Sequence, residues 1–156
     1  INSRLDEIQA AVLRVKLPRL EANNQKRREI AQYYLENIKH PEIILPLTDY
    51  RLPVTGYLQH TWHLFVIRHP RRDELQKYLA DNGIQTLIHY PIPPHKQKAY
   101  KEWNQLSLPI TEKIHNEVLS LPVSQVMNDN EVEEVVRGIN GYEDGRMFKK
   151  YIQTYC

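Results

Sequence analysis

Trp62-His-Leu-Phe-Val-Ile-Arg68, then Pro70, then Leu75, Tyr78 and Leu79 at helical spacing, then Gly83-Ile84-Gln-Thr-Leu-Ile88: the reading of this stretch decides the fold. The first segment is nearly continuous apolar, β-branched and aromatic sequence, which predicts a buried strand. The second predicts a helix over about 71–82, and Gly83 supplies the left-handed stop expected after it. The third predicts another strand. It runs directly into His89-Tyr-Pro-Ile-Pro-Pro-His95, where Pro91, Pro93 and Pro94 cannot continue a central strand, so a stiff extended loop is expected.

Upstream of this unit, Leu5, Ile8, Val12 and Val15 recur at steps of three, four and three, one face of a helix. Asn2 or Ser3 is the expected cap, with Asp6 and Glu7 in the first turn, where the helix dipole favours negative charge. Pro18 kinks or interrupts that helix. A second helix over about 21–38 carries Ile30, Tyr34 and Ile38 on one side and Lys26, Arg27 and Arg28 on its polar face, and His40–Pro41 ends it. Residues 41–61 hold Pro41, Pro46, Pro53 and Gly56 and read as a loop with a short strand around 43–45.

Downstream, short helices are expected over 97–104 and 110–119, the latter with Ile114 and Val118 inward, then a short strand near 119–123. Asn128 or Asp129 caps a last helix whose apolar face is Val132, Val135, Val136 and Ile139, ending near Gly141. Residues 142–156 are charged and aromatic without a period, and a loose tail is expected there. Strands separated by helices, with two long helices first, predict an α/β fold: a two-layer sandwich with helices on one face of a sheet of three or four short strands.

A chain of 156 residues is one domain's worth and can bury about 70% of its unfolded surface without a metal or disulfide. Hydrophobic residues at 41% and charged residues at 26% exclude collagen, low-complexity disorder and a membrane bundle. Lys and Arg number 21 against 19 Asp and Glu, and 21 − 19 = +2 is too near neutral for a nucleic-acid or anionic-membrane binder. The single cysteine, Cys156, is the last residue, so no intrachain disulfide forms, which favours a reducing, cytoplasmic setting. No apolar run approaches the ~20 residues of a membrane span. The chain opens on Ile1 at a helix start, which points to a piece of something longer.

His60 and His63 have a spacing that suits a metal on a strand, but no cysteine or acidic residue lies close in sequence, so no metal is expected. The basic clusters Lys26-Arg-Arg28, Arg71-Arg72 and Lys149-Lys150 are dispersed among carboxylates and read as solvated helix faces. With five glycines, neither GxGxxG nor GxxxxGK[ST] is present, and there is no GxSxG. Two segments stand apart. Asn2 and Arg4 crowd a helix N-terminus, where backbone amides, an amide side chain and a guanidinium would favour an anion; simple capping by Asn2 is the bland alternative. His89 and Tyr90 end a strand before a proline-stiffened loop, where imidazole and phenol would be held rigidly at a sheet edge, as a binding site requires; a partly buried aromatic pair is the alternative.

Asn2-Ser-Arg-Leu-Asp-Glu-Ile-Gln-Ala-Ala11 resembles the hallmark of the DegT/DnrJ/StrS family of pyridoxal-phosphate-dependent nucleotide-sugar aminotransferases. Trp62 to Arg68, Arg72-Asp-Glu-Leu75, Gly83-Ile84, His89-Tyr-Pro-Ile-Pro93, Ala99-Tyr100 and Leu121-Pro122 follow in the family's order, so the resemblance covers about residues 1–140. It implies the small C-terminal domain of a fold type I transferase over 1–140, with a tail at 141–156 to which it assigns nothing. The family's chain is more than twice as long. Its large domain carries the Schiff-base lysine in a Ser-Phe-x-x-x-Lys run that is absent here, and Lys16, Lys96 and Lys113 lack that context.

The resemblance further implies pyridoxal 5'-phosphate as cofactor, a nucleotide-linked keto-sugar as substrate, an amino donor such as glutamate, and a homodimer. It implies that Asn2 reaches the cofactor phosphate across the dimer interface, with Arg4 near the same site, and that His89 and Tyr90 lie beside the sugar nucleotide. No catalytic residue is expected on this chain, which alone should be inactive. The parent's product would serve cell-surface polysaccharide or a related glycoside. Two competing expectations stand: a non-catalytic dimerisation module built on the first helices, and, more weakly, a nucleic-acid-binding domain built on the basic clusters.

Overall fold

A computed structural model of the chain describes residues 6–46 and 60–143. Helix α1 (Glu7–Lys16) passes through a 3₁₀ turn at Leu17–Arg19, built around Pro18, into α2 (Leu20–Asn37). Asp6, rather than Asn2 or Ser3, stands at the N-cap of α1, and residues 1–5 lie outside those described. Strand β1 (Phe65–Arg68) leads to α3 (Arg72–Asp81). Two 3₁₀ segments (Pro94–Lys96 and Lys98–Trp103) precede α4 (Pro109–Glu117), β2 (Val118–Leu121) and α5 (Asp129–Asn140).

β1 and β2 pair antiparallel, with Phe65 opposite Leu121 and Arg68 opposite Val118. Ile44 bridges Arg68 on the outer side of β1, and Leu87 bridges Ser120 on the outer side of β2, both antiparallel. The order across the sheet is therefore the Ile44 segment, β1, β2 and the Leu87 segment. These are the four extended segments that the sequence predicts, but the outer two are single-residue bridges. β1 is also shorter than the apolar run 62–68: Trp62 takes φ 47°, a left-handed conformation that interrupts an extended chain. Along 84–87 burial alternates, with Ile84 and Thr86 inside and Gln85 and Leu87 outside, as on a half-covered sheet edge.

Helices α2 and α5 close the core. Tyr34 of α2 is fully buried, its ring edge-on to Phe65 (centroids 5.1 Å apart, 76°), and its hydroxyl donates to the Pro122 carbonyl at 2.9 Å. All four predicted apolar positions of α5 are buried, each such aliphatic side chain contributing about 1.5–3 kcal/mol. Asn128 and Glu131 form a reciprocal capping box at its start. Gly138, inside α5, has a packing reason: a Cβ there would stand 2.5 Å from Ile84 Cδ1. Gly83 takes φ 81°, the expected stop after α3.

Two expectations change. Tyr142, assigned to a loose tail, is buried: its amide bonds the Ile139 carbonyl, and His40 Nε2 donates to its own carbonyl at 2.9 Å. The reason is the aromatic cluster it joins, with His40, His69 and Tyr78. Residues 144–156 lie outside those described. The apolar stripe of α1 keeps its predicted spacing and is covered by nothing among the described residues: the helix buries no residue, and Ile8, Val12, Leu13 and Val15 are exposed, Leu5 falling outside the described residues. The segment over 97–104 is a 3₁₀ helix with non-helical backbone at Tyr100.

Candidate functional site

His89 and Tyr90 sit where the Leu87 edge of the sheet ends. Leu87 exchanges both backbone hydrogen bonds with Ser120, and the chain then leaves the sheet because Pro91, Pro93 and Pro94 offer no N–H to continue a ladder. The His89–Tyr90 peptide is cis. The two rings meet edge to face, with centroids 5.7 Å apart at 88°. Tyr90 is 68% exposed, whereas His89 is half-buried, its Nδ1 hydrogen-bonded to Ser120 Oγ at 2.9 Å.

A Ser–His contact invites comparison with a nucleophile–base pair. Ser120 is 5% exposed in the middle of β2, so its hydroxyl faces the sheet interior and serves to orient the imidazole. The turn presents one phenol and one oriented imidazole: hydrogen-bonding and stacking groups suited to recognising a ligand.

Helix α4 runs beside the turn and holds it. His115 Nδ1 donates to the Tyr90 carbonyl at 2.6 Å, an oxygen that can only accept. His95, buried, meets Glu112 Oε1 at 2.9 Å. That carboxylate also accepts the Leu108 amide, and the two hydrogen bonds, His95's first, hold its pKa below the usual carboxylate value. Asn104 Nδ2 adds a bond to the His95 carbonyl at 2.8 Å. Sequence reading singled out His89 and Tyr90 but not Glu112, His115 and Ser120, which the structure brings against the same loop. Glu112 and His115 stand three apart on α4, spacing that places them on one helix face, which was the available signal.

α4 is itself fixed. The buried Arg72 guanidinium donates to the His115 and Val118 carbonyls at 3.1 and 3.2 Å, the place at a helix C-terminus where a cation is favoured. Arg68 of β1 pairs with buried Glu117 at 2.7 Å.

The other described sequence candidates lie apart from this site. Asn2 and Arg4 lie outside the described residues, so their expected anion site does too. His60 and His63 are both exposed, and among the described residues no group of three His, Cys, Asp or Glu side chains converges for a metal. Lys26 pairs with Asp129 at 2.9 Å, Arg27 bonds the Val123 carbonyl and Gln125, and Arg28 bonds Glu21 and Gln25. Arg71 pairs with Glu42 and Glu74, and Lys149-Lys150 lie outside the described residues. No described helix is long and apolar enough to cross a membrane.

The described residues do not by themselves fit a pyridoxal cofactor. Desolvation is one way a lysine amine becomes nucleophilic, and no described lysine is buried. A groove of about 360 Å³ between α2 and α5 is lined by Glu29, Asp129 and Glu133 against one lysine, Lys26, already paired, a charge balance that repels phosphate. It shares no residue with the turn.

Comparison with known proteins places this geometry in context. The model of the DegT/DnrJ/EryC1/StrS aminotransferase family matches residues 1–140. The chain is 60% identical over 142 residues to a dTDP-3-amino-3,6-dideoxy-alpha-D-galactopyranose transaminase of Aneurinibacillus thermoaerophilus, covering 91% of the chain and 38% of that relative. It is 40% identical over 146 residues to a dTDP-3-amino-3,4,6-trideoxy-alpha-D-glucose transaminase of Streptomyces venezuelae, covering 92% and 37%. The crystal structure of S. venezuelae DesV in complex with a ketimine intermediate superimposes with a TM-score of 0.81 at 38% identity, over 92% of this chain and 38% of that one. The chain thus spans little more than a third of the length of these relatives.

Proposed function

The chain belongs to the DegT/DnrJ/EryC1/StrS aminotransferase family, and from that premise we propose that it is the C-terminal portion of a nucleotide-sugar aminotransferase. The whole protein would transfer an amino group, typically from glutamate, to a nucleotide-linked keto-sugar, using the pyridoxal 5'-phosphate that the family implies. The reading rests chiefly on the 60% identity to a dTDP-sugar transaminase across 91% of the chain. A dTDP-linked keto-sugar is the substrate class that this similarity favours, and cell-surface glycan or a related glycoside is the destination of the product, made in the cytoplasm.

Within that protein, residues 1–140 form the small domain, with His89 and Tyr90 beside the sugar nucleotide: the phenol exposed, the imidazole oriented by Ser120. The Schiff-base lysine belongs to the part of the relatives' length that this chain does not span. Asn2 would bond the cofactor phosphate of the partner protomer in a homodimer, with Arg4 close by. The exposed face of α1 (Ile8, Val12, Leu13 and Val15) is the surface that such a dimer would cover.

Two measurements test this. The 156-residue chain alone, mixed with pyridoxal phosphate and reduced with borohydride, should yield no adduct at a specific lysine; a stoichiometric adduct at one lysine overturns the assignment of the chemistry elsewhere. In the whole protein, Asn2→Ala should weaken cofactor affinity by about 10- to 100-fold, the worth of a charge-assisted hydrogen bond. If it lowers only the melting temperature of the apo protein, Asn2 is a helix cap and nothing more.

The exposed α1 face also favours a second reading, a non-catalytic dimerisation module. It predicts a whole protein that dimerises through α1 yet turns over no dTDP-keto-sugar with glutamate.

A further inference from the structure

The turn that carries His89 and Tyr90 has little capacity to hold itself. Pro91, Pro93 and Pro94 have no N–H, and the first backbone bonds after the sheet edge are Lys96 to Pro93 and Gln97 to Pro94, beyond the residues that face outward. Chain with three amides missing depends more on groups that reach it; the adjacent Gln97 side chain supplies one bond, to the Ile92 carbonyl at 3.3 Å, and the others come from farther away.

Those groups come from α4, β2 and the adjoining 3₁₀ segment, and they grip both ends. At the first end, Ser120 Oγ meets His89 Nδ1 at 2.9 Å, and His115 Nδ1 donates to the Tyr90 carbonyl at 2.6 Å. At the other end, Glu112 accepts from His95 at 2.9 Å, and Asn104 donates to the His95 carbonyl at 2.8 Å. Between the grips, Tyr90 and Ile92 stay 68% and 52% exposed. His95 at the far end is buried and His89 half-buried, but the bond on the Tyr90 carbonyl secures backbone whose own side chain is exposed, as is that of Ile92, so burial of these two residues does not account for it. Fixing a backbone while leaving its side chains outward is what a preorganised binding surface needs.

We propose that His115 and the His95–Glu112 pair are positioning residues for the proposed transamination: they set the orientation in which Tyr90 and His89 meet the sugar nucleotide. The inference rests on the reading of the turn as the sugar-nucleotide contact. His115 acts on the Tyr90 carbonyl, three residues past Leu87 at the sheet edge, so its loss frees the phenol-bearing residue directly. Glu112 acts at His95 and, through the Leu108 amide, ties the far end of the loop to the start of α4. Neither touches a ligand on this reading; each acts through the loop.

The test uses the whole protein with a dTDP-linked keto-sugar and glutamate. His115→Ala and Glu112→Ala should each raise the KM for the sugar nucleotide about 3- to 10-fold, the worth of a single net hydrogen bond, with kcat at saturation within about twofold of wild type. His115→Asn, which keeps an N–H near Nδ1, and Glu112→Gln, which keeps an acceptor for both His95 and Leu108, should recover most of the loss. A merely structural role predicts a fall in melting temperature without this KM-specific pattern and without rescue.

Tyr90→Phe and His89→Ala separate the two levels of the argument. If they raise KM while both alanine variants at 112 and 115 leave it unchanged, or if the conservative variants fail to rescue, positioning by α4 is wrong and the turn assignment stands. If Tyr90→Phe and His89→Ala leave KM unchanged, the turn is not the sugar-nucleotide contact and the positioning role falls with it. Should His115→Ala not fold, the Glu112 pair decides the question by the same criteria.

Discussion

Replacing Tyr34 with Phe removes one oxygen from the centre of the core and leaves the ring against Phe65 in place. The hydroxyl donates to the Pro122 carbonyl at 2.9 Å, so Tyr34→Phe deletes a buried hydrogen bond and leaves the carbonyl without that donor. At neutral pH this should cost about 1–2 kcal/mol. For a chain of this size that corresponds to a fall of roughly 2–8 °C in Tm. The penalty should depend on pH in a direction the structure fixes. Burial pushes the ionisation of Tyr34 well above the ordinary phenol value of 10.0, so the folded chain keeps the proton in a range where the unfolded chain loses it. Stability from a group raised in this way is fully present below pH 10.0 and is lost as pH rises above it, at about 1.4 kcal/mol per pH unit. The Phe variant has no such loss, and contributions common to the two chains cancel in the difference. The deficit of Tyr34→Phe should therefore hold constant from pH 7 to 9 and close by about pH 11. Urea midpoints of the two chains across that range give the answer. A deficit absent at pH 7, or one unchanged at pH 11, refutes the account of Tyr34 as a buried donor held neutral.

At the acid end, burial holds the pKa of His69 below 6.5 against the opposing pull of the Glu42 carboxylate, so the folded state resists a proton that the unfolded state takes up. Its stability is full above pH 6.5 and falls as pH drops toward the folded value, so the urea midpoint should decrease from pH 7.5 to 5.5, with a shallower decrease in His69→Asn. Gly83→Ala should cost about 1–2 kcal/mol, because φ 81° strains any Cβ while no atom lies within 4 Å to add a clash; a neutral effect in thermal melts would contradict the left-handed stop.

Helices α3 and α5 were legible in the sequence because their apolar residues face a core directly: Leu75 and Leu79, and Val132, Val135, Val136 and Ile139, all buried. The helix period reports burial when one face does the packing. The sheet was legible in order but not in extent, since no pattern rule foresees the left-handed backbone of Trp62 inside an apolar run. Tyr142 was misread for a related reason. Its partners His40, His69 and Tyr78 lie on three separate segments, and an aromatic that packs across such distances leaves no periodic trace.

The turn shows a sharper division. That Pro91, Pro93 and Pro94 stiffen a loop is local chemistry, readable from three residues. The same prolines create a shortage of backbone donors, and that shortage is readable too: something outside the loop has to supply the bonds. What the sequence does not disclose is the source. His115 lies 25 residues from Tyr90, Ser120 lies 31 from His89, and Glu112 lies 17 from His95. They converge only because β2 pairs with the Leu87 edge and α4 leads into β2. A turn of this kind can therefore be recognised from sequence by what its backbone lacks. The residues that hydrogen-bond it have to be sought on the neighbouring strand and the helix that feeds it.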